Sequence, residues 1–195
     1  MLSFAKSFFS EVSQISNQID HARIELLAEK LSNLKKNNGR LFICGVGGSA
    51  GNASHAVNDF RKLCEIETYA PTDNISELTA RTNDEGWESV FVEWLKISKL
   101  NKKDSLLIFS VGGGNELKNV STNLIKCINL AKKRDVPVYA IVGKNNGYAS
   151  QHADIAIIVP EVNSKLITPY SESFQTIIWH CLVSHPKLQI TKTKW

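Results

Sequence analysis

Apolar residues between positions 3 and 36 recur at helical spacing: Phe8, Val12, Ile15 and Ile19, then Ile24, Leu26, Leu27, Leu31 and Leu34, with a soft break near Asp20. Side chains three and four residues apart share one face of a helix, so this segment predicts two amphipathic helices. The NNG at 37–39 stops the second. The pattern then changes character. RLFIC at 40–44 is short and almost wholly apolar, as expected of a strand covered on both faces, and it runs directly into glycines.

The same succession recurs along the chain. SLLIF at 105–109 leads into SVGGGN at 110–115, a helical stretch from about 119 to 133 follows, and VPVYAIV at 136–142 ends at Gly143. ADIAIIV at 153–159 predicts one more strand, and a last helix over 171–184 ends before Pro186, which cannot continue it. Strands alternating with helices imply βαβ units, a parallel sheet and right-handed crossovers. The expected organisation is one domain: N-terminal helices over 1–38, an αβα core over 39–186 and a loosely held tail over 187–195.

Composition narrows the function classes. The chain of 195 residues is 43% hydrophobic and 22% charged, ordinary for a globular protein, and it carries no apolar run that approaches a membrane span. Its first residues lack the uninterrupted apolar core of a secretory signal, so a cytoplasmic protein is expected. Cys44, Cys64, Cys127 and Cys181 are scattered without a CxxC pair and predict buried reduced thiols. The net charge of +4 is dispersed, and the densest basic runs, at 35–36 and 132–134, fall at predicted helix ends, where cations complement the dipole. No nucleic-acid partner is expected.

Candidate chemistry begins in the loops at the strand ends, where ligands of parallel sheets bind. GVGGSA at 45–50 matches the GxGxx(G/A) dinucleotide pattern, with Glu65 or Glu67 near the distance of a ribose-binding acid. A glycine loop that opens a helix serves any phosphate, however, because its exposed amides need only close approach. Two helices precede this loop, and both acids stand before a proline-containing loop, so no nucleotide cofactor is expected. SVGGGN offers a second phosphate loop, with Ser110 as a hydroxyl donor and Gly112, Gly113, Gly114 and Asn115 around it.

His55 and Asp59 lie four residues apart on one helix face, and Glu172 and His180 lie eight apart on the last predicted helix. Imidazole nitrogen and carboxylate oxygen also suit zinc. His152 and His185 read as surface residues.

GVGGSAGNASHAVND at 45–59, ELTARTNDEGWESVF at 77–91, FSVGGGN at 109–115 and TPYSESFQTIIWHCLVSHP at 168–186 together resemble the sugar isomerase (SIS) domain family, in its phosphoheptose isomerase branch. The resemblance implies a three-layer αβα sandwich with a five-stranded parallel sheet, assembled as a homotetramer with active sites at subunit interfaces. It implies aldose–ketose isomerisation of sedoheptulose 7-phosphate to glycero-manno-heptose 7-phosphate, supplying heptose for lipopolysaccharide or capsule. It assigns His55, Asp59, Glu172 and His180 to metal and acid/base positions, with zinc as the metal and Asp59, Glu172 and His180 as catalytic groups. Gly47, Gly48, Ser49, Asn83, Asp84, Ser110 and Gly112 fall at substrate-contact positions. The chain departs from the family in Asp59 for glutamate, Glu172 for glutamine, Val46 for asparagine and SVGGGN for a serine-rich loop. The alternative is a non-catalytic SIS module that binds a phosphosugar or a protein partner, as in a replication-initiator-associating relative.

Overall fold

The structure, a computed structural model, describes residues 3–193. Helices α1 (Phe4–Gln18) and α2 (His21–Lys36) come first, as their periodicity predicts. The soft break at Asp20 is a helix cap: its Oδ1 accepts the Arg23 N–H at 3.1 Å, satisfying a donor that the first turn leaves orphaned. The remaining elements are β1 (Leu41–Gly45), α3 (Gly48–Cys64), β2 (Thr68–Tyr69), α4 (Ile75–Glu85), α5 (Val90–Ile97), β3 (Ser105–Ser110), α6 (Thr122–Lys133), β4 (Val138–Val142), α7 (Tyr148–His152), β5 (Ile155–Ile158) and α8 (Ile167–Val183).

The five strands form one parallel sheet in the order β2-β1-β3-β4-β5. Alternate residues feed two cores. Leu41, Ile43, Leu107, Phe109, Ile141 and Ile157 pack with α1, α2, α3 and α8, while Phe42, Cys44, Leu106, Ile108, Val138 and Ala140 pack with α5, α6 and α7. Burial on both faces is why the strands read as continuous apolar runs. This is the three-layer αβα sandwich that the resemblance implies.

Several boundaries differ from the sequence reading. β2 pairs only two residues with β1, too few to show any periodicity. α4 buries none of its residues, so it carries no apolar stripe. α6 begins at Thr122, because residues 115–120 fold back through an antiparallel bridge between Asn115 and Val120. α8 begins at Ile167, with Pro169 in its first turn, where the missing N–H costs no helical hydrogen bond. The tail is not loose as far as it is described: Leu188 is buried, and the Ile190 and Thr191 N–H groups both donate to the Leu63 carbonyl at the end of α3. Cys181 is exposed, unlike the other three cysteines. His185 is half-buried, with Nε2 3.1 Å from Glu25 Oε2 and Nδ1 accepting the Lys187 N–H. No helix among the described residues is long and apolar enough to cross a membrane.

Candidate active site

The site is built on α3 and α8, which lie side by side on one face of the sheet. β1 turns into α3 through Gly45 and Gly47. Gly47 has φ +64°, which favours glycine, and a Cβ at Gly45 would fall 2.3 Å from the Ser49 carbonyl oxygen. A ladder of side-chain contacts then fixes the register of the two helices. Asn52 Nδ2 donates to the Glu172 carbonyl and to Gln175 Oε1, both at 2.9 Å, and Gln175 Nε2 donates to Ser49 Oγ at 3.1 Å. Further along, the Cys64 thiol lies 3.7 Å from the Val183 carbonyl.

This register brings His55, Asp59 and His180 together. His180 Nε2 lies 3.3 Å and His55 Nε2 3.6 Å from Asp59 Oδ2, and the two imidazoles meet edge to face with centroids 5.5 Å apart. Asp59 is buried, whereas both imidazoles are about half exposed, His55 at 56% and His180 at 46% of their side chains. Both carboxylate oxygens are held: Asn58 Nδ2 donates to Oδ1 at 3.0 Å and Trp179 Nε1 to Oδ2 at 3.1 Å. The three groups border a hollow of about 400 Å³, also lined by Asn58, Lys62 and Thr193. A larger hollow of about 730 Å³ opens at the starts of β4 and β5, by Lys30, Pro137, Tyr139 and Asp154, and none of the candidate residues lines it.

One ligand atom from each of His55, Asp59 and His180 falls within 4.8 Å of the others. Two imidazoles and a carboxylate are a donor set that fits zinc, with a coordination position left for a fourth ligand. The arrangement also suits proton transfer, since a carboxylate beside an imidazole can orient it and balance its charge.

Glu172 does not join this cluster. Eight residues of helix put it about 12 Å along α8 from His180, and its carboxylate lies against Gly48, where an added Cβ would meet Glu172 Oε2 at 2.5 Å. Ser49 is buried by the packing of α3 on α8, and its hydroxyl accepts from Gln175. Asn83 and Asp84 are exposed on α4, where Asn83 Nδ2 donates to Asp84 Oδ1 at 2.7 Å. In the second loop, Ser110 Oγ accepts the Gly113 N–H at 3.0 Å, so this hydroxyl shapes the loop while its own proton can still be donated. Gly113 and Gly114 have φ +75° and +91°, Gly112 and Asn115 are exposed, and the Gly113 and Gly114 carbonyls accept N–H groups of α7.

Two functional candidates escaped the sequence reading. Trp179 looks like another apolar core residue, and only the rule that a buried indole N–H seeks a partner marks it. Asn123, in the first turn of α6 just after the second loop, is fully buried, and its Nδ2 has no hydrogen-bond partner among the described residues. A buried amide donor without a partner is costly, and nothing in the local pattern of residues 119–133 announces it.

Comparison with known proteins gives the arrangement its relatives. Residues 5–143 match the SIS domain. The chain is similar to the lincomycin biosynthesis protein LmbN of Streptomyces lincolnensis, with 36% identity over 158 residues, 75% of this chain, and it spans only 56% of that protein. It is similar to the phosphoheptose isomerase of a Nitratiruptor species, with 32% identity over 76% of each chain. Its fold matches the solved phosphoheptose isomerase GmhA from Neisseria gonorrhoeae with a TM-score of 0.80, at 24% identity, over 92% of this chain and 94% of that one. The chain therefore belongs to the SIS domain family, in its phosphoheptose isomerase branch.

Proposed function

We propose that the protein is a phosphosugar aldose–ketose isomerase that converts sedoheptulose 7-phosphate to glycero-manno-heptose 7-phosphate, in the supply of heptose for lipopolysaccharide or capsule. The observation that carries this reading is the convergence of His55 and His180 on Asp59 Oδ2. Isomerisation moves a proton between adjacent carbons through an enediol, so it needs a base for a weakly acidic C–H and a group that manages charge on the neighbouring oxygen. Asp59 and His180 exchange that proton when no ion occupies them, since a metal-bound carboxylate or imidazole nitrogen is not a free base. Asp59 is shielded and held at both oxygens, and the His180 ring projects into the hollow and can carry a proton to and from the sugar.

His55, Asp59 and His180 would hold a zinc ion, which when bound supplies Lewis acidity toward the sugar's carbonyl and hydroxyl oxygens. Glu172 stands at the first glycine loop, where its carboxylate accepts hydrogen bonds from sugar hydroxyls. The phosphate lies on the second loop at the start of α6, a reading supported by the glycine conformations at 113 and 114 and the unpartnered Asn123 amide.

Gly48 precedes His55 by seven residues, about 10 Å of helix, so the loops and the imidazoles of one chain stand apart. Half-exposed His55 and His180, with Phe4 and Phe9 exposed on α1, support a homotetramer in which neighbouring copies complete each other's sites. A coupled assay with sedoheptulose 7-phosphate tests the function. Folded Asp59→Asn and His180→Ala variants are expected to lose at least about 100-fold in kcat. Wild-type rates in both would overturn the mechanism, and no turnover by the wild type, with phosphosugar still bound, would favour a binding module.

A further inference from the structure

We propose that Trp179 is a positioning residue for Asp59: its indole N–H fixes the orientation of the carboxylate that Asp59 presents to His55 and His180. The inference rests on the reading of Asp59 as the working carboxylate of the site. The terminal torsion of an aspartate is broad, so a free carboxylate would turn its plane over a wide range relative to the pocket. Here that freedom is removed by two donors, Asn58 Nδ2 on Oδ1 at 3.0 Å and Trp179 Nε1 on Oδ2 at 3.1 Å. Three nitrogens surround Oδ2, and their roles differ. The imidazole nitrogens belong to half-exposed rings, can donate or accept, and can bind a metal. The indole nitrogen only donates, in every protonation state of the site.

The indole is also the one of the three that is anchored in the core. Trp179 is 1% exposed and stacks on Phe109 of β3 at 5.9 Å and 17° between planes. Its other neighbours are the rings of His55 at 5.3 Å and His180 at 5.0 Å. The sheet therefore fixes the indole, the indole fixes the carboxylate, and the carboxylate faces two surface imidazoles. Partners that orient a metal ligand in this way typically contribute about 10–100-fold to metal affinity or activity.

The test compares wild type, Trp179→Phe, which keeps an aromatic ring and removes the N–H, and a His55→Ala/His180→Ala control. Zinc affinity is measured by calorimetry, and kcat and KM with sedoheptulose 7-phosphate. For Trp179→Phe that melts cooperatively, zinc affinity is expected to fall by about tenfold and kcat to fall with KM nearly unchanged. Independently, the assigned Trp179 indole N–H resonance of the wild-type protein is expected to shift when zinc is added, and this measurement decides the matter if the variant does not fold. Unchanged zinc affinity and kcat in a folded Trp179→Phe variant, or an indole resonance indifferent to zinc that the wild type binds, would overturn the inference and leave the proposed function standing. A wild type that neither binds zinc nor turns over the sugar would overturn the proposed function, and the inference with it. If the wild type turns over without binding zinc, the kcat comparison decides.

Discussion

Glu172 and Gly48 touch across the α8–α3 contact: a Cβ at position 48 would fall 2.5 Å from one carboxylate oxygen and 2.6 Å from the other. The carboxylate thus sits at the positive end of the α3 dipole, and only a residue without a side chain lets it come so close. The obstructing atoms are the far end of a flexible side chain. Gly48→Ala is therefore expected to fold with a stability change within about 1 kcal/mol while displacing Glu172. At Gly45 the obstruction is the Ser49 carbonyl, part of the backbone at the start of α3, at 2.3 Å. Gly45→Ala should cost about 3 kcal/mol, since the helix start itself has to move. Urea denaturation of the two variants separates the cases, and similar losses in both would show that the Glu172 contact is as rigid as backbone.

A second test concerns the entry to the sheet. Arg40 and Asp104 bridge the starts of β1 and β3, with Arg40 Nε 3.0 Å from Asp104 Oδ1 and Arg40 Nη2 2.8 Å from Oδ2. Asp104 is 2% exposed and also accepts the Arg40 and Asn101 N–H groups, and this pairing raises the Arg40 guanidinium pKa further. Removing one partner of a buried pair strands the other charge and leaves amides unsatisfied. Asp104→Ala is expected to lower unfolding free energy by about 3–5 kcal/mol, measured by chemical denaturation, with little change in KM for a folded fraction.

What could be read in the sequence, and what could not, follows from how each feature is encoded. β1, β3, β4 and β5 announce themselves because both faces are covered, which forces unbroken apolar runs. β2, α4 and the fold-back at 115–120 bury too little in consecutive positions to leave such a mark. At the site, the spacing of His55 and Asp59 on one helix face was legible, but their meeting with His180 depends on the packing of α3 against α8 more than a hundred residues away. The same packing buried Ser49 and drew Glu172 to Gly48, so within one chain Glu172 and His180 stand apart by about 12 Å of intervening helix. Trp179 went unnoticed because its burial and its hydrogen bond to Asp59 are both tertiary properties.

The thiols give a prediction in the alkaline range. Burial pushes the Cys64 thiol up from an ordinary 9.0 to about 12, against the opposing pull of the Lys35 ammonium. The hydrogen bond with Cys127, together with burial, raises Cys44 well above its ordinary value. Both groups therefore hold their protons more tightly in the folded chain than in the unfolded one. Where the unfolded state has released those protons and the folded state has not, stability falls as pH rises. The stability they contribute is present below the ordinary thiol value of 9.0 and is lost as pH climbs toward about 12. Urea midpoints should accordingly be flat in this respect between pH 7 and 8 and decline above about pH 9, and the decline should weaken in a Cys64→Ala variant. At pH 8 a disulfide reagent is expected to label exposed Cys181 promptly in the native protein, while the buried Cys44, Cys64 and Cys127 react only after unfolding. Prompt reaction of all four thiols, or a midpoint insensitive to pH between about 9 and 12, would contradict their burial as the cause of the raised values.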